Sequence, residues 1–167
     1  CKTNNVLFIA DEIQTGFGRT GKMFAFEHSG VVPDIMCMAK AIANGLPLGG
    51  IIAKKSIMEN WSKGAHGGTF GGNPVTAQAG LKVLEILQRD SLADRGARLG
   101  ATLKNRLKGL SEMNDIISDV RGLGLMIGVE IAETPQRSAS ECTDRILERM
   151  KDAGYLLGKT GPGRNVV

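Results

Sequence analysis

The sequence has little of several features that mark particular classes of protein. Aromatic residues make up only 4% of its 167 residues, too few for a platform of exposed rings on which nucleic-acid bases stack. The net charge is only +4 and the basic residues are scattered, so we expect no nucleic-acid partner. No apolar run approaches the roughly 18 residues that a membrane span needs, so we expect no membrane partner either.

Cysteine is also scarce. Cys1, Cys37 and Cys142 are an odd number at wide spacing, which argues against a disulfide framework and against a zinc site. His28 and His66 lack the neighbours that metal binding or a Ser/His triad requires, so we predict no metal. Free cysteines are typical of a reducing compartment, and we expect an intracellular protein of the cytoplasm or the mitochondrial matrix.

The two ends of the chain are unusual. It begins with Cys1, without an initiator methionine or a targeting pattern, and it stops at Val167 in what reads as the start of a strand. We interpret the chain as an internal segment of a longer protein. Its 167 residues and 42% apolar content are nevertheless enough for a domain with a real core.

The first half alternates short apolar runs with loops and helical patterns, which is typical of an α/β sheet. The predicted buried strands are residues 6–10, 34–39 and 48–54. Pro74 suits the first turn of a helix that runs to about Arg89. A second long helix follows, and we interpret its leucine stripe (Leu99, Leu103 and Leu107) as core packing.

The second half reads as α+β. Residues 120–130 predict one strand, and Ser138 and Glu141 form a capping box for a helix over 139–153. Another strand is predicted to start at residues 155–157. The glycines of 120–130 lie inside the apolar run with the wrong spacing for a dinucleotide-binding turn, so we reject that alternative.

Charged side chains follow two of the predicted strands. Asp11 ends the first strand, and Lys40 follows the second by one residue. Ligands bind at the carboxyl ends of strands in an open α/β sheet. A carboxylate keeps a pyridine nitrogen protonated, and a lysine amine forms a Schiff base with an aldehyde. Gln14 can offer its amide to a ring hydroxyl, and Thr69, among glycines, can contact a phosphate. The set suits pyridoxal phosphate, although each residue alone is better explained as a surface charge or a turn residue.

Five segments in this order closely resemble the class III (omega-type) pyridoxal phosphate-dependent aminotransferases, which have fold type I. The segments are residues 8–21 (FIADEIQTGFGRTG), 33–35 (PDI), 39–41 (AKA), 45–49 (GLPLG) and 68–74 (GTFGGNP). The resemblance spans essentially the whole chain but well under half of a full-length enzyme. The stretch 150–159 is most similar to the alanine–glyoxylate and 4-aminobutyrate branches.

The resemblance implies roles for four residues. Asp11 would pair with the pyridine nitrogen of pyridoxal 5′-phosphate, and Gln14 would contact the ring hydroxyl side. Lys40 would form the Schiff base. Thr69 would reach the phosphate of a cofactor held mainly by the other subunit of a homodimer, with a tetramer left open.

The resemblance also implies a domain organisation. Residues 1–95 would be part of the cofactor-binding large domain, which has a mainly parallel sheet with helices. Residues 96–167 would be the linking helix and part of a small α+β C-terminal domain. The family's phosphate-cradling turn and its substrate-binding arginine would lie outside this chain. We therefore expect residues 1–167 alone not to transaminate.

Three functions stay open at this point. The first is a transaminase that moves an amino group from an ω-amino acid or alanine to a 2-oxo acid by a ping-pong mechanism. The second is another fold type I enzyme (a decarboxylase, aminomutase or phospho-lyase), because these use the same Asp/Lys pair. The third is a non-catalytic regulator that keeps the fold, which loss of Lys40 or Asp11 would favour; both are present.

Overall fold

A computed structural model describes all residues from Cys1 to Val167. The chain divides into two compact units, Cys1–Arg98 and Leu99–Val167. Their identification with parts of a large and a small domain stays a prediction. None of the helices is both long enough and apolar enough to cross a membrane.

The first unit contains a mixed three-stranded sheet in the order β1-β2-β3. Its strands are β1 (Ile9–Asp11), β2 (Ile35–Met38) and β3 (Gly50–Ala53). β1 and β2 are parallel, whereas β2 and β3 are antiparallel. The sequence predicted all three strands, but β1 begins three residues later than expected and includes Asp11. The prediction that the strands are buried is wrong for β3, where Ile51 is 41% and Ile52 is 57% exposed. Just before β1, the Phe8 N–H donates to the Asp34 carboxylate, 2.9 Å away.

Two helices follow the sheet in this unit, α1 (Lys55–Met58) and α2 (Pro74–Arg89). The bounds predicted for α2 are confirmed. Asn73 caps α2, since its side-chain oxygen accepts a hydrogen bond from the Val75 N–H at 2.9 Å. Gly80 packs against the segment between β2 and β3, where a Cβ would lie 2.9 Å from the Leu48 Cδ2.

Helix α3 (Leu92–Ser111) was predicted, but its leucine stripe is not core. Leu99 is 49% exposed and Leu103 is 46% exposed. The residues of α3 that face the second unit's hairpin are Gly100, which packs against Gly124, and Lys104, whose amine donates to the Gly122 carbonyl at 2.8 Å. Leu99 precedes Gly100 and Leu103 precedes Lys104, so both leucines lie about 100° away around the helix and do not face the hairpin.

The second unit takes in most of α3, from Leu99 onward, and continues with an antiparallel hairpin of β4 (Ile117–Leu123) and β5 (Met126–Ile131). The prediction of one strand over 120–130 is therefore wrong. Gly122 and Gly124 have φ values of +130° and +53°. Glycine adopts these conformations without the steric cost of a side chain, so the chain can reverse within the apolar run.

Helix α4 (Ala139–Asp152) confirms the predicted capping box. The Ser138 hydroxyl accepts from the Glu141 N–H, and the Glu141 carboxylate accepts from the Ser138 N–H at 2.9 Å. The Ser138 hydroxyl also donates to the Glu141 carboxylate, at 2.7 Å. This donation, followed by that of the Ser138 N–H, lowers the pKa of Glu141. Helix α4 ends where Gly154 takes a φ of +88°.

The strand expected from residue 155 does not form, because residues 155–157 make no ladder pairing and their side chains are exposed. The chain instead returns to β5 at its last residues. The Val129 N–H donates to the Val167 carbonyl at 2.7 Å, and the Val167 N–H donates back at 2.9 Å. The beginning of a strand expected near residue 165 is thus present as an isolated bridge.

Candidate active site

Asp11 is the last residue of β1 and is exposed. In the parallel ladder its Cα pairs with that of Cys37 in β2. One carboxylate oxygen, Oδ1, accepts a hydrogen bond from the Ile13 N–H at 3.1 Å. This contact holds the side chain against the turn that follows β1 and leaves the other oxygen for a ligand.

Lys40 comes two residues after β2 ends, at the same edge of the sheet as Asp11. It opens the 3-10 helix Lys40–Ala43 and is exposed. Its φ is +49°, in the left-handed region. A non-glycine residue there costs on the order of 1–3 kcal/mol, and such strain is concentrated at functional sites. No ion pair joins the Lys40 amine to Asp11, so the amine is available.

The other two predicted residues lie in exposed loops. Gln14 is three residues beyond β1, in the turn that starts at the same sheet edge as Asp11 and Lys40. Thr69 lies in the glycine-rich turn, where the Gly71 N–H donates to the Gly68 carbonyl at 3.2 Å. No contact within the chain joins Thr69 to the other three residues. Its role toward a second subunit stays a prediction.

Glu12 received no role from the sequence, yet it is the most enclosed charged residue of the turn, only 2% exposed. Side chains alternate along β1, so Asp11 faces outward and Glu12 inward. Its carboxylate accepts hydrogen bonds from the Ala25 N–H at 3.0 Å and the Phe26 N–H at 2.8 Å. Two adjacent carboxylates at a strand end were the available signal, because alternation predicts that one of them is buried.

The opposite end of the parallel pair is held by Asp34, which precedes β2. Its carboxylate accepts from the Phe8 N–H and pairs with Lys54, the residue after β3. The Lys54 ammonium, followed by the Phe8 N–H, lowers the pKa of Asp34. An ion pair thus lies at the amino end of β2, whereas no ion pair joins the charged residues at the carboxyl ends of β1 and β2.

A family model described as aminotransferase class-III matches residues 1–167, the whole chain. The 4-aminobutyrate aminotransferase of Mycobacterium leprae (strain TN) is 41% identical over 168 residues, which cover 100% of this chain and 38% of that protein. The mitochondrial alanine–glyoxylate aminotransferase 2 homolog 2 of Arabidopsis thaliana is 45% identical over 165 residues, which cover 96% of this chain and 34% of that protein. The chain thus spans little more than a third of the length of these curated relatives.

Solved structures of aminotransferases and of a phospholyase resemble this chain in fold. An ornithine aminotransferase from Toxoplasma gondii has a TM-score of 0.89 at 35% identity, over 99% of this chain and 38% of its own. A phospholyase from Arthrobacter, in complex with phosphoethanolamine, has a TM-score of 0.88 at 32% identity, over 96% of this chain and 39% of its own. The α/β fold class expected from the sequence is confirmed.

Proposed function

The chain belongs to the class III aminotransferases, and we propose that the protein containing it transfers an amino group from an ω-amino acid or alanine to a 2-oxo acid. The observation that carries the proposal is the shared sheet edge: a carboxylate ends one strand and a lysine follows its parallel neighbour. The relatives named for 4-aminobutyrate and alanine–glyoxylate support these classes of amino donor.

The residues present fit pyridoxal 5′-phosphate as the cofactor. Asp11 offers a free carboxylate oxygen to the pyridine nitrogen, and Lys40 offers an unpaired amine to the aldehyde carbon. Gln14 would contact the ring hydroxyl side. Thr69 would contact the phosphate, since its exposed glycine-rich turn leaves room around the backbone. When bound, this cofactor supplies an electron sink for the substrate carbon.

The chain's own residues would then have two tasks. The Asp11 carboxylate would hold a proton on the pyridine nitrogen, because the opposite charge stabilises the protonated ring. The Lys40 Nζ, freed when the substrate amine takes its place, would remove the proton from the substrate carbon that bears the amine. The same groups would serve both halves of a ping-pong reaction.

The whole protein is proposed to be a homodimer, because the family resemblance implies that Thr69 serves the partner's cofactor, and no hydrogen bond joins Thr69 to Asp11 or Lys40 within the chain. Residues 1–95 would belong to the large domain and residues 96–167 to the linking helix and small domain. We place the protein inside the cell, in the cytoplasm or mitochondrial matrix, because Cys1, Cys37 and Cys142 are free thiols.

A second candidate is a phospho-lyase on the same scaffold. The likeness to the Arthrobacter phospholyase is nearly as great as that to the ornithine aminotransferase. A phospho-lyase would use the same Asp11–Lys40 pair but would release phosphate and ammonia from a phosphorylated amine instead of passing the amino group on.

Product analysis with the full-length protein separates the two candidates. We expect amino transfer from 4-aminobutyrate, ornithine or alanine to 2-oxoglutarate or glyoxylate, with no ammonia released. Release of phosphate from phosphoethanolamine, without any new amino acid, would favour the lyase. Failure of every donor and acceptor pair, in protein loaded with pyridoxal 5′-phosphate, would reject the transaminase proposal.

A further inference from the structure

We propose that Glu12 is a positioning residue for the cofactor site: its buried carboxylate fixes the turn that orients Asp11 and Gln14. Glu12 lies directly after Asp11 and two residues before Gln14. It is 2% exposed, whereas both of its functional neighbours are exposed. The inference rests on the proposed function, since it concerns the site that would hold pyridoxal 5′-phosphate.

The Glu12 carboxylate ties two distant parts of the turn together. Its Oε2 accepts hydrogen bonds from the Thr15 hydroxyl and from the Ala25 N–H, while its Oε1 accepts from the Phe26 N–H. Residues 25 and 26 begin the 3-10 helix Ala25–His28, so the carboxylate also satisfies donors at that helix start. All three partners are donors, which matches the acceptor-only chemistry of a carboxylate.

The main chain of Glu12 is fixed as firmly as its side chain. Its N–H donates to the Cys37 carbonyl at 3.0 Å, which extends the β1–β2 pairing by one residue beyond Asp11. Its carbonyl accepts from the Gly16 N–H at 3.0 Å. A Cβ at Gly16 would lie 2.8 Å from that carbonyl oxygen, so the turn closes only with glycine there.

These hydrogen bonds allow Glu12 to fix the backbone of the turn, which the exposed Asp11 and Gln14 do not do. Asp11 and Gln14 have few partners of their own: the one to the Asp11 carboxylate is their only side-chain hydrogen bond. Their orientation toward a ligand therefore depends on the backbone of the turn, which Glu12 holds at both ends. Groups positioned before the ligand arrives bind it more tightly, because less ordering remains to be done.

The test compares Glu12→Gln with Glu27→Gln in the full-length protein. Glu27 is the matched control, because its exposed carboxylate accepts from the Phe24 N–H at 2.7 Å at the start of the same 3-10 helix but accepts no hydrogen bond from residues 11–16. The readouts are the dissociation constant for pyridoxal 5′-phosphate, the pH midpoint of the visible absorbance band, and the melting temperature of the cofactor-free protein.

We expect Glu12→Gln to weaken cofactor binding about tenfold and to move the pH midpoint, because one charge-assisted hydrogen bond or more is lost. Glu27→Gln should leave both within about twofold. If Glu12→Gln lowers only the melting temperature, the residue is merely structural and the proposal fails. If that variant does not fold, Thr15→Val decides: weakened cofactor binding supports the proposal, and wild-type binding overturns it.

Two outcomes distinguish a failure of the Glu12 role from a failure of the proposed function. Wild-type protein that gains no borohydride-sensitive visible band with pyridoxal 5′-phosphate would reject both. A wild-type band with equal cofactor binding by the wild type and Glu12→Gln would reject the Glu12 role alone.

Discussion

Asp11 is paired in register with Cys37 across the parallel β1–β2 ladder. The next hydrogen bond, from the Glu12 N–H to the Cys37 carbonyl, closes the pairing at 3.0 Å. Lys40 follows Cys37 by three residues, so the ladder fixes where the lysine begins relative to the carboxylate. A slip of one residue would turn Asp11 inward and Glu12 outward, and the site would be lost.

The left-handed backbone of Lys40 predicts that a lysine at this position lowers the stability of the fold while supplying the amine that the proposed function needs. Lys40→Gly should stabilise the cofactor-free protein by about 1 kcal/mol relative to Lys40→Ala, because only glycine relieves the strain at a φ of +49°. In the full-length protein both variants should lack the proposed transamination, since neither has an amine at position 40. Thermal melts of the two variants check this, and equal melting temperatures would show that the position is not strained.

The contacts of the Asp34 carboxylate with the Phe8 N–H and the Lys54 ammonium predict that stability depends on pH. The folded-state pKa of Asp34 is lowered, so its contribution to stability is present above the unfolded-state value of about 3.9 and is lost as the pH falls through the lower folded-state value. Asp34→Asn should therefore destabilise the protein at neutral pH, and the difference from wild type should shrink below about pH 4. Urea unfolding across this range measures it.

The control for Asp34 is Glu59→Gln, which removes a carboxylate from an exposed i,i+4 pair with Lys55. Exposed pairs of this kind contribute little, so this variant should track the wild type at every pH. A difference between Asp34→Asn and wild type that stayed constant with pH would contradict the ion-pair explanation.

Two glycines of α3 predict opposite effects of the same substitution. A Cβ at Gly100 would lie 1.8 Å from the Gly124 carbonyl oxygen, so Gly100→Ala should destabilise by about 3 kcal/mol or more. Gly109 has no atom near its Cβ position, and Gly109→Ala should stabilise the helix by roughly 0.5 kcal/mol. Melting temperatures of the two variants compare them directly, and a mild effect of Gly100→Ala would place the hairpin farther from α3.

The sequence predicted those parts of the fold that local chemistry determines. Pro74 in the first turn of α2 and the Ser138–Glu141 box of α4 start their helices where expected, because a helix start depends on residues within three positions of one another. The pair of Asp11 and Lys40 at one sheet edge was also predictable, since short apolar runs define the strands.

Features that depend on distant contacts were not predictable. The burial of Glu12 requires donors from residues 25 and 26, thirteen or more positions away. The hairpin at Gly124 looked like one strand, because apolar residues continue through the turn. The leucines of α3 match a core stripe, yet tertiary packing turned Gly100 toward the hairpin instead.

The central claim is that Lys40 holds pyridoxal 5′-phosphate through its side-chain amine. Full-length protein loaded with the cofactor can be reduced with borohydride, digested, and analysed by mass spectrometry. We predict that the reduced cofactor is attached to the peptide containing Lys40, and that Lys40→Ala protein carries none. A label on another lysine, or no label in protein that binds the cofactor, would contradict this account.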